Sequence, residues 1–232
     1  MTEEFDAVMF DAGGVLWDLN PTHRELISRV LSSNGEDVDD ARLISAMRKA
    51  ERVTDLAFSK LHGKDETPFW NDYDRIVLEE IGSVIDLETY SRDMSKEFET
   101  HAMKVESWVP YPDAIPTLIA TKSRGFVVGL VSNATELARR VLANLDMEKY
   151  FDFIVISDEV GVRKPDKRIF EIALDMAGTK ANRSLFLGDR PSIDMVGAIG
   201  AGMNAILVDR NEAFPDSQYL RISSLDSLAR YL

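Results

Sequence analysis

Five short apolar runs constrain this chain more than any other feature. They are Ala7 to Phe10, Val127 to Val131, Phe153 to Ile156, Leu185 to Leu187, and Ala205 to Val208. Each has the length and composition of a strand buried on both faces. All but the first are separated by stretches of helix length. Thr135 to Leu145 sets Leu137, Val141 and Leu145 on one helical face. Lys167 to Met176 repeats the pattern with Ile169, Ala173 and Met176, and Asp166 before it and Gly178 after it suit the two caps. Strands alternating with amphipathic helices predict an α/β fold built on a doubly wound parallel sheet.

The alternation fails in one place. Between the first two runs, from Asn20 to about Lys104, the patterns are helical: Leu26, Ile27, Val30 and Leu31 form one apolar stripe, Leu43, Ile44 and Met47 a second, and Ile76, Val77 and Ile81 a third. This reads as an inserted all-helical domain. The chain returns through Val109-Pro110-Tyr111-Pro112, where two prolines favour extended backbone over a continuing helix. The expected division is a Rossmann-like α/β core from residues 1–18 and 108–232, with a helical domain at 19–107. Ser224 to Leu232 reads as a short terminal helix capped by Ser224 or Ser223.

At 232 residues and 45% hydrophobic content, the chain has material for a well-packed interior. Nothing in it is long and apolar enough to span a bilayer, and acidic Thr2-Glu3-Glu4 is unlike the basic start of a signal peptide. A cytoplasmic protein is expected, as a monomer or homodimer. With no cysteine, disulfides and thiol chemistry are excluded. A net charge of −13 argues against nucleic acid or an anionic membrane as partner, since both need a basic footprint. An anionic substrate would have to be attracted locally.

In an open parallel sheet, ligands bind beyond the carboxyl ends of the strands. Asp11, Ser132 and Asp189 each follow an apolar run directly, and Lys164 lies on a loop several residues past another; Asp194 closes the run Gly188-Asp189-Arg190-Pro191-Ser192-Ile193-Asp194. Taken singly, each has an ordinary structural use. Aspartate before Gly-Gly forms turns, Ser132-Asn133 suits a helix cap, Lys164 a solvated loop, and Asp194 a helix first turn. Together, at the ends of several strands, they form a constellation with chemistry. Carboxylates about 4 Å apart repel by roughly 4 kcal/mol at an effective dielectric near 20, which calls for a cation. Mg²⁺ is the natural one, being held by one or two carboxylates, waters and substrate phosphate. In such a setting a carboxylate can attack phosphorus, while Ser132 and Lys164 bind the nonbridging oxygens and Lys164 offsets their charge. The amides after Ser132, near a helix start, would assist.

The sequence resembles the haloacid dehalogenase superfamily, in its phosphatase-like branch with a helical cap inserted after the first motif. Phe10-Asp11-Ala12-Gly13-Gly14-Val15-Leu16 is similar to the first motif, Val131-Ser132-Asn133 to the second, Arg163-Lys164-Pro165 to the third, and Gly188-Asp189 through Asp194 to the fourth. The resemblance covers roughly residues 5 to 18 and 108 to 210. It implies Asp11 as nucleophile, with Ser132, Asn133 and Lys164 binding the phosphate of a small phosphorylated metabolite. It also implies a Mg²⁺ site formed by Asp11, Asp189 and the Gly13 carbonyl, with Asp194 binding directly or through water.

Gly13 departs from the phosphatase pattern. Family phosphatases carry there a carboxyl that protonates the leaving oxygen and then activates water, assistance worth about 10²- to 10⁴-fold. Three outcomes follow: substrates whose leaving groups need little protonation, such as acyl, aryl or anomeric phosphates; a substitute acid from His62, Asp18, Glu51 or the substrate; or binding with poor turnover. Dehalogenases also lack an acid there but work without Mg²⁺, whereas the Asp189–Asp194 spacing suggests a metal. A phosphomutase would need the missing acid. A noncatalytic phosphate-binding or receiver-like module is the remaining class, and receivers place their acidic pair before the phosphorylated aspartate. In the helical domain Phe58, Phe69, Trp70 and Tyr73 have either a core role or a substrate-stacking one.

Overall fold

The computed structural model describes residues 5–61 and 67–232, so His62 lies outside the described residues. The chain divides into two compact units. One comprises Met1–Asp18, Val109–Arg210 and Asp216–Leu232; the other comprises Leu19–Trp108 and Asn211–Pro215. Asn211–Pro215 therefore groups with the helical segment although its neighbours on both sides belong to the α/β unit.

In chain order the strands are β1 (Ala7–Phe10), β2 (Trp17–Leu19), β3 (Trp108–Pro110), β4 (Val127–Ser132), β5 (Phe153–Ile156), β6 (Ser184–Gly188), β7 (Asn204–Val208) and β8 (Arg221–Ile222). Six of them form one sheet in the order β5-β4-β1-β6-β7-β8, and every pairing in it is parallel. From β1 the chain first adds β4 and β5 on one side, then returns to add β6, β7 and β8 on the other. The winding reverses at β1, which places the topological switch point, and hence the ligand crevice, beyond Phe10. All four β1 residues are fully buried, as expected of a central strand covered on both faces.

The α/β unit carries α5 (Ala114–Ser123), α6 (Glu136–Asn144), a single turn α7 (Ser157–Val160), α8 (Lys167–Ala177) and α9 (Val196–Gly200). In α8 the predicted Asp166 cap accepts from the Arg168 amide, and Gly178 ends the helix in the left-handed conformation. Its Ile169, Phe170, Ala173 and Leu174 are buried, and it packs on β4 and β5. Two expectations hold and gain detail. The terminal segment is a 3-10 helix, Leu225–Arg230, capped by Ser224. The returning Trp108–Pro110 is a strand rather than merely extended chain, and it pairs with β2. β8 has no counterpart in the sequence reading.

The helical unit contains α1 (His23–Ser33), α2 (Asp40–Phe58), α3 (Thr67–Ile81) and α4 (Leu87–Ala102). Thr22 and Glu25 form a capping box at the start of α1. Leu26, Ile27, Val30 and Leu31 pack against Leu43, Val77, Ile81 and Tyr90. Along α2, however, Ala46 and Ala50 face inward with Leu43, while Ile44 and Met47 are only half-buried. Small residues there let α3 approach closely. The aromatics pack on one another: Phe58 on Phe69 at 4.6 Å, Phe69 on Trp70 at 4.9 Å, and His23 on Tyr73 at 5.4 Å between ring centroids. Phe69 and Tyr73 are buried, which makes them core residues.

Candidate active site

Strand register brings the predicted residues to one rim. Phe10 lies level with Leu130 on one side and Leu187 on the other, so the next residue, Asp11, emerges beside the ends of β4 and β6. The Asp11 amide continues the ladder, donating to the Leu187 carbonyl at 2.8 Å. Ser132 is the last residue of β4 and is buried; Asp189 is the first residue beyond β6. Each position follows from a buried strand ending where its polar residue begins.

Lys164 reaches into this rim from the loop before α8. Its Nζ lies 2.8 Å from Asp11 Oδ2 and 2.7 Å from Asp194 Oδ1, with the side chain 1% exposed. Both amide atoms of Asn133 bond to the Lys164 main chain: Oδ1 accepts its N–H at 2.8 Å and Nδ2 donates to its carbonyl at 2.9 Å. The Asn133 side chain is thus committed to holding the lysine loop rather than turned toward a ligand.

Asp194 is delivered by an unusual turn. Pro191–Met195 forms one π-type turn before α9, a widened geometry common at functional sites. It points the Asp194 side chain inward, fully buried, where Oδ2 accepts from the Arg190 amide at 2.9 Å. Two glycines leave room for the carboxylates. A Cβ on Gly188 would lie 2.4 Å from Asp194, and one on Gly14, whose φ is +73°, would lie 2.4 Å from Asp189 Oδ2. Gly13 differs: a Cβ there would meet no atom within 4 Å. Gly14, Gly188 and Arg190 are not among the residues singled out from the sequence; the Gly-Gly pair and the charge beside Asp189 are the signals that mark them.

Asp11, Asp189 and Asp194 each offer one carboxylate oxygen within 4.8 Å of the others. Burial pushes the Asp11 carboxyl upward, with Lys164 pulling it the other way less strongly. Burial also holds Asp189 well above the usual carboxylate range, opposed by the Arg190 cation, whose Nε is 3.9 Å away. Burial disfavours the Lys164 charge, but Asp11 and Asp194 outweigh it and keep its pKa above the ordinary lysine value. Oxygens sharing an octahedral Mg²⁺ stand about 3 to 4 Å apart, given metal–oxygen distances of about 2.0–2.1 Å. The three carboxylates fit such an ion with a small contraction, and their all-oxygen donor set suits it.

The haloacid dehalogenase-like hydrolase family matches residues 5–202, and the chain belongs to that family. It is 38% identical over 127 residues to the glyceraldehyde 3-phosphate phosphatase of Methanothermobacter thermautotrophicus, a match covering 54% of this chain and 56% of that enzyme. The chain spans about half the length of such curated phosphatase relatives. A second relative, (S)-2-haloacid dehalogenase 4A of Burkholderia cepacia, is 24% identical over 98% of this chain and 95% of its own length. Among solved structures, the HAD phosphatase from Thermococcus onnurineus shares the fold, with TM-score 0.59, 21% identity and 97% of both chains covered. Among the described residues no helix is long and apolar enough to cross a membrane.

Proposed function

We propose that this hydrolase is a Mg²⁺-dependent phosphatase of a small phosphorylated metabolite, acting through an aspartyl phosphate on Asp11. The reading is carried by the Asp11 carboxylate, held 2.8 Å from the Lys164 ammonium within a cluster of three acidic groups. Its phosphatase relatives support it.

Asp11, Asp189, Asp194 and the Gly13 carbonyl would hold Mg²⁺, which supplies charge neutralisation at the phosphoryl oxygens. One Asp11 oxygen attacks phosphorus as the bond to the leaving oxygen breaks. Ser132 and Lys164 bind the nonbridging oxygens, and Lys164 stabilises the charge they gather. Water then attacks the phosphorus of the aspartyl phosphate, releasing phosphate and restoring the carboxylate. Gly13 offers no proton to the leaving oxygen, so acyl, aryl and anomeric phosphates are the preferred substrate classes.

p-Nitrophenyl phosphate turnover, with and without Mg²⁺, tests this reading directly. Metal-dependent release of p-nitrophenol, abolished in Asp11→Asn, supports the enzyme; stable labelling of the chain without release would favour a binding module. A series of phosphoesters graded by leaving-group pKa should show a steep preference for easily expelled groups, flattened by Gly13→Asp, whose Cβ would meet no atom within 4 Å. The absence of both effects would remove the leaving-group argument.

A second reading draws on Gly13, because displacement of halide needs no proton donor. Halide release from an (S)-2-haloacid without added metal, and no phosphate release with it, would establish that alternative.

A further inference from the structure

We propose that Arg210 is a positioning residue of this site, fixing the turn between Asp11 and Asp18 so that Gly14 sits correctly against Asp189. The inference rests on reading the acidic cluster as a Mg²⁺ site. Arg210 lies just beyond β7, and all its partners named here belong to the α/β unit.

The turn after Asp11 is tight and buried. The amides of Val15, Leu16 and Trp17 all point to the Ala12 carbonyl, at 3.3, 2.8 and 3.3 Å, and the Gly14 amide donates to Trp17 O at 3.0 Å. Val15 and Leu16 are both fully buried, so their own carbonyls need donors from elsewhere. Arg210 Nη2 supplies the first at 2.7 Å, and the Tyr111 amide supplies the second at 3.0 Å.

Arg210 is itself held on several sides. It forms a two-pronged pair with Asp113, Nη1 to Oδ2 at 2.9 Å and Nη2 to Oδ1 at 2.8 Å, and its guanidinium lies 3.8 Å above the Tyr111 ring. Asp113 Oδ2 also accepts from Ser224 Oγ and the Leu225 amide, both at 2.8 Å. Tyr111 donates its hydroxyl to Asp18 Oδ2 at 3.0 Å, so the far end of the turn is tied to the same group. A planar fork with fixed donors can serve a carboxylate, a carbonyl and a ring face at once; a lysine ammonium cannot.

The link to the metal site is Gly14. With the position of its missing Cβ only 2.4 Å from Asp189 Oδ2, even a small shift of the turn would press backbone onto that carboxylate. Groups that orient metal-holding residues typically change metal affinity by about 10- to 100-fold when removed.

The test uses full-length Arg210→Lys beside the unaltered protein. Mg²⁺ binding is measured by titration calorimetry without substrate, amide exchange is followed at Gly14 to Trp17, and kcat is separated from KM. In the unaltered protein the turn amides should be strongly protected. In Arg210→Lys they should exchange at least about tenfold faster, with Mg²⁺ affinity lower by about 10- to 100-fold and kcat, rather than KM, carrying the loss. Unchanged exchange and Mg²⁺ affinity, with only a lower melting temperature, would reduce Arg210 to a structural staple and overturn the proposal. Should Arg210→Lys not fold, unprotected turn amides in the unaltered protein would overturn it equally, and Arg210→Met with Asp113→Leu, which leaves no charge unpaired, provides the second comparison. Absence of Mg²⁺ binding in the unaltered protein sinks the phosphatase reading instead, and exchange alone then decides whether Arg210 holds the turn.

Discussion

At the scale of single residues, charge balance around Asp11 decides what the site can accept. With all three carboxylates ionised they face two cations, Lys164 and Arg190, a net charge of one sign that a bound divalent ion reverses. That sign change suits a phosphoryl dianion and makes Arg190 more than a neighbour. Replacing it in Arg190→Gln should raise KM for a phosphate ester by about 10-fold and weaken inhibition by inorganic phosphate similarly, with the thermal midpoint little changed. Inhibition unaffected by the change would deny Arg190 that role. Gly14→Ala combines a positive φ with a collision at Asp189; the expected cost is about 1–3 kcal/mol of stability together with loss of metal-dependent turnover. Denaturant titration and phosphate release measure the two parts separately. Asp11, Ser132 and Asp189 were legible because each ends an apolar run. Arg210 was not, because Asp113 and Val15 lie 97 and 195 residues away in sequence, and no local pattern encodes such contacts.

Among secondary-structure elements, legibility followed length and periodicity. The main strands and α8 carry strong patterns and were readable with their caps. β8 has two residues, while β2 and β3 have three each, too few for alternation to register. The π-type turn before α9 was equally silent, since its distinguishing feature is a hydrogen-bond pattern rather than a composition. Inside the helical unit, α3 buries Asp74, whose carboxyl is pushed up from 3.8 to about 7 by burial, moderated by the Ser91 hydroxyl at 3.3 Å. A carboxyl raised in the folded state favours folding most when protonated in both states. That stabilisation is full below about pH 4 and is lost as pH rises through about 7. Asp74→Asn should therefore stabilise the protein at pH 8 by a few kcal/mol and leave it nearly unchanged at pH 4. Denaturant unfolding at the two pH values checks it, and equal effects at both would contradict the assignment. Asn133→Ala removes both bonds to the Lys164 main chain. A loss of about 1–3 kcal/mol, with kcat falling more than KM rises, is expected from kinetics beside thermal melting.

Viewed as a whole molecule, a net charge of −13 sets the protein's field against its proposed substrate. The site compensates only at short range. Raising ionic strength from about 0.01 to 0.15 M shortens the screening length from roughly 30 to 8 Å. This should raise kcat/KM for a dianionic substrate by a few-fold at saturating Mg²⁺, the reverse of the behaviour of an enzyme that steers its ligand in. Stopped-flow or steady-state rates across a salt series would show it; a decrease would mean that the local cations dominate even at distance.

One margin of the sheet closes on β8, with only Arg221 and Ile222 in strand conformation before the Ser224-capped turn begins. A foreign extended segment would find almost no ladder to extend there. Brevity at that margin guards the parallel sheet against accretion of other chains during expression or storage, a safeguard that lengthening β8 with alternating apolar residues would forfeit.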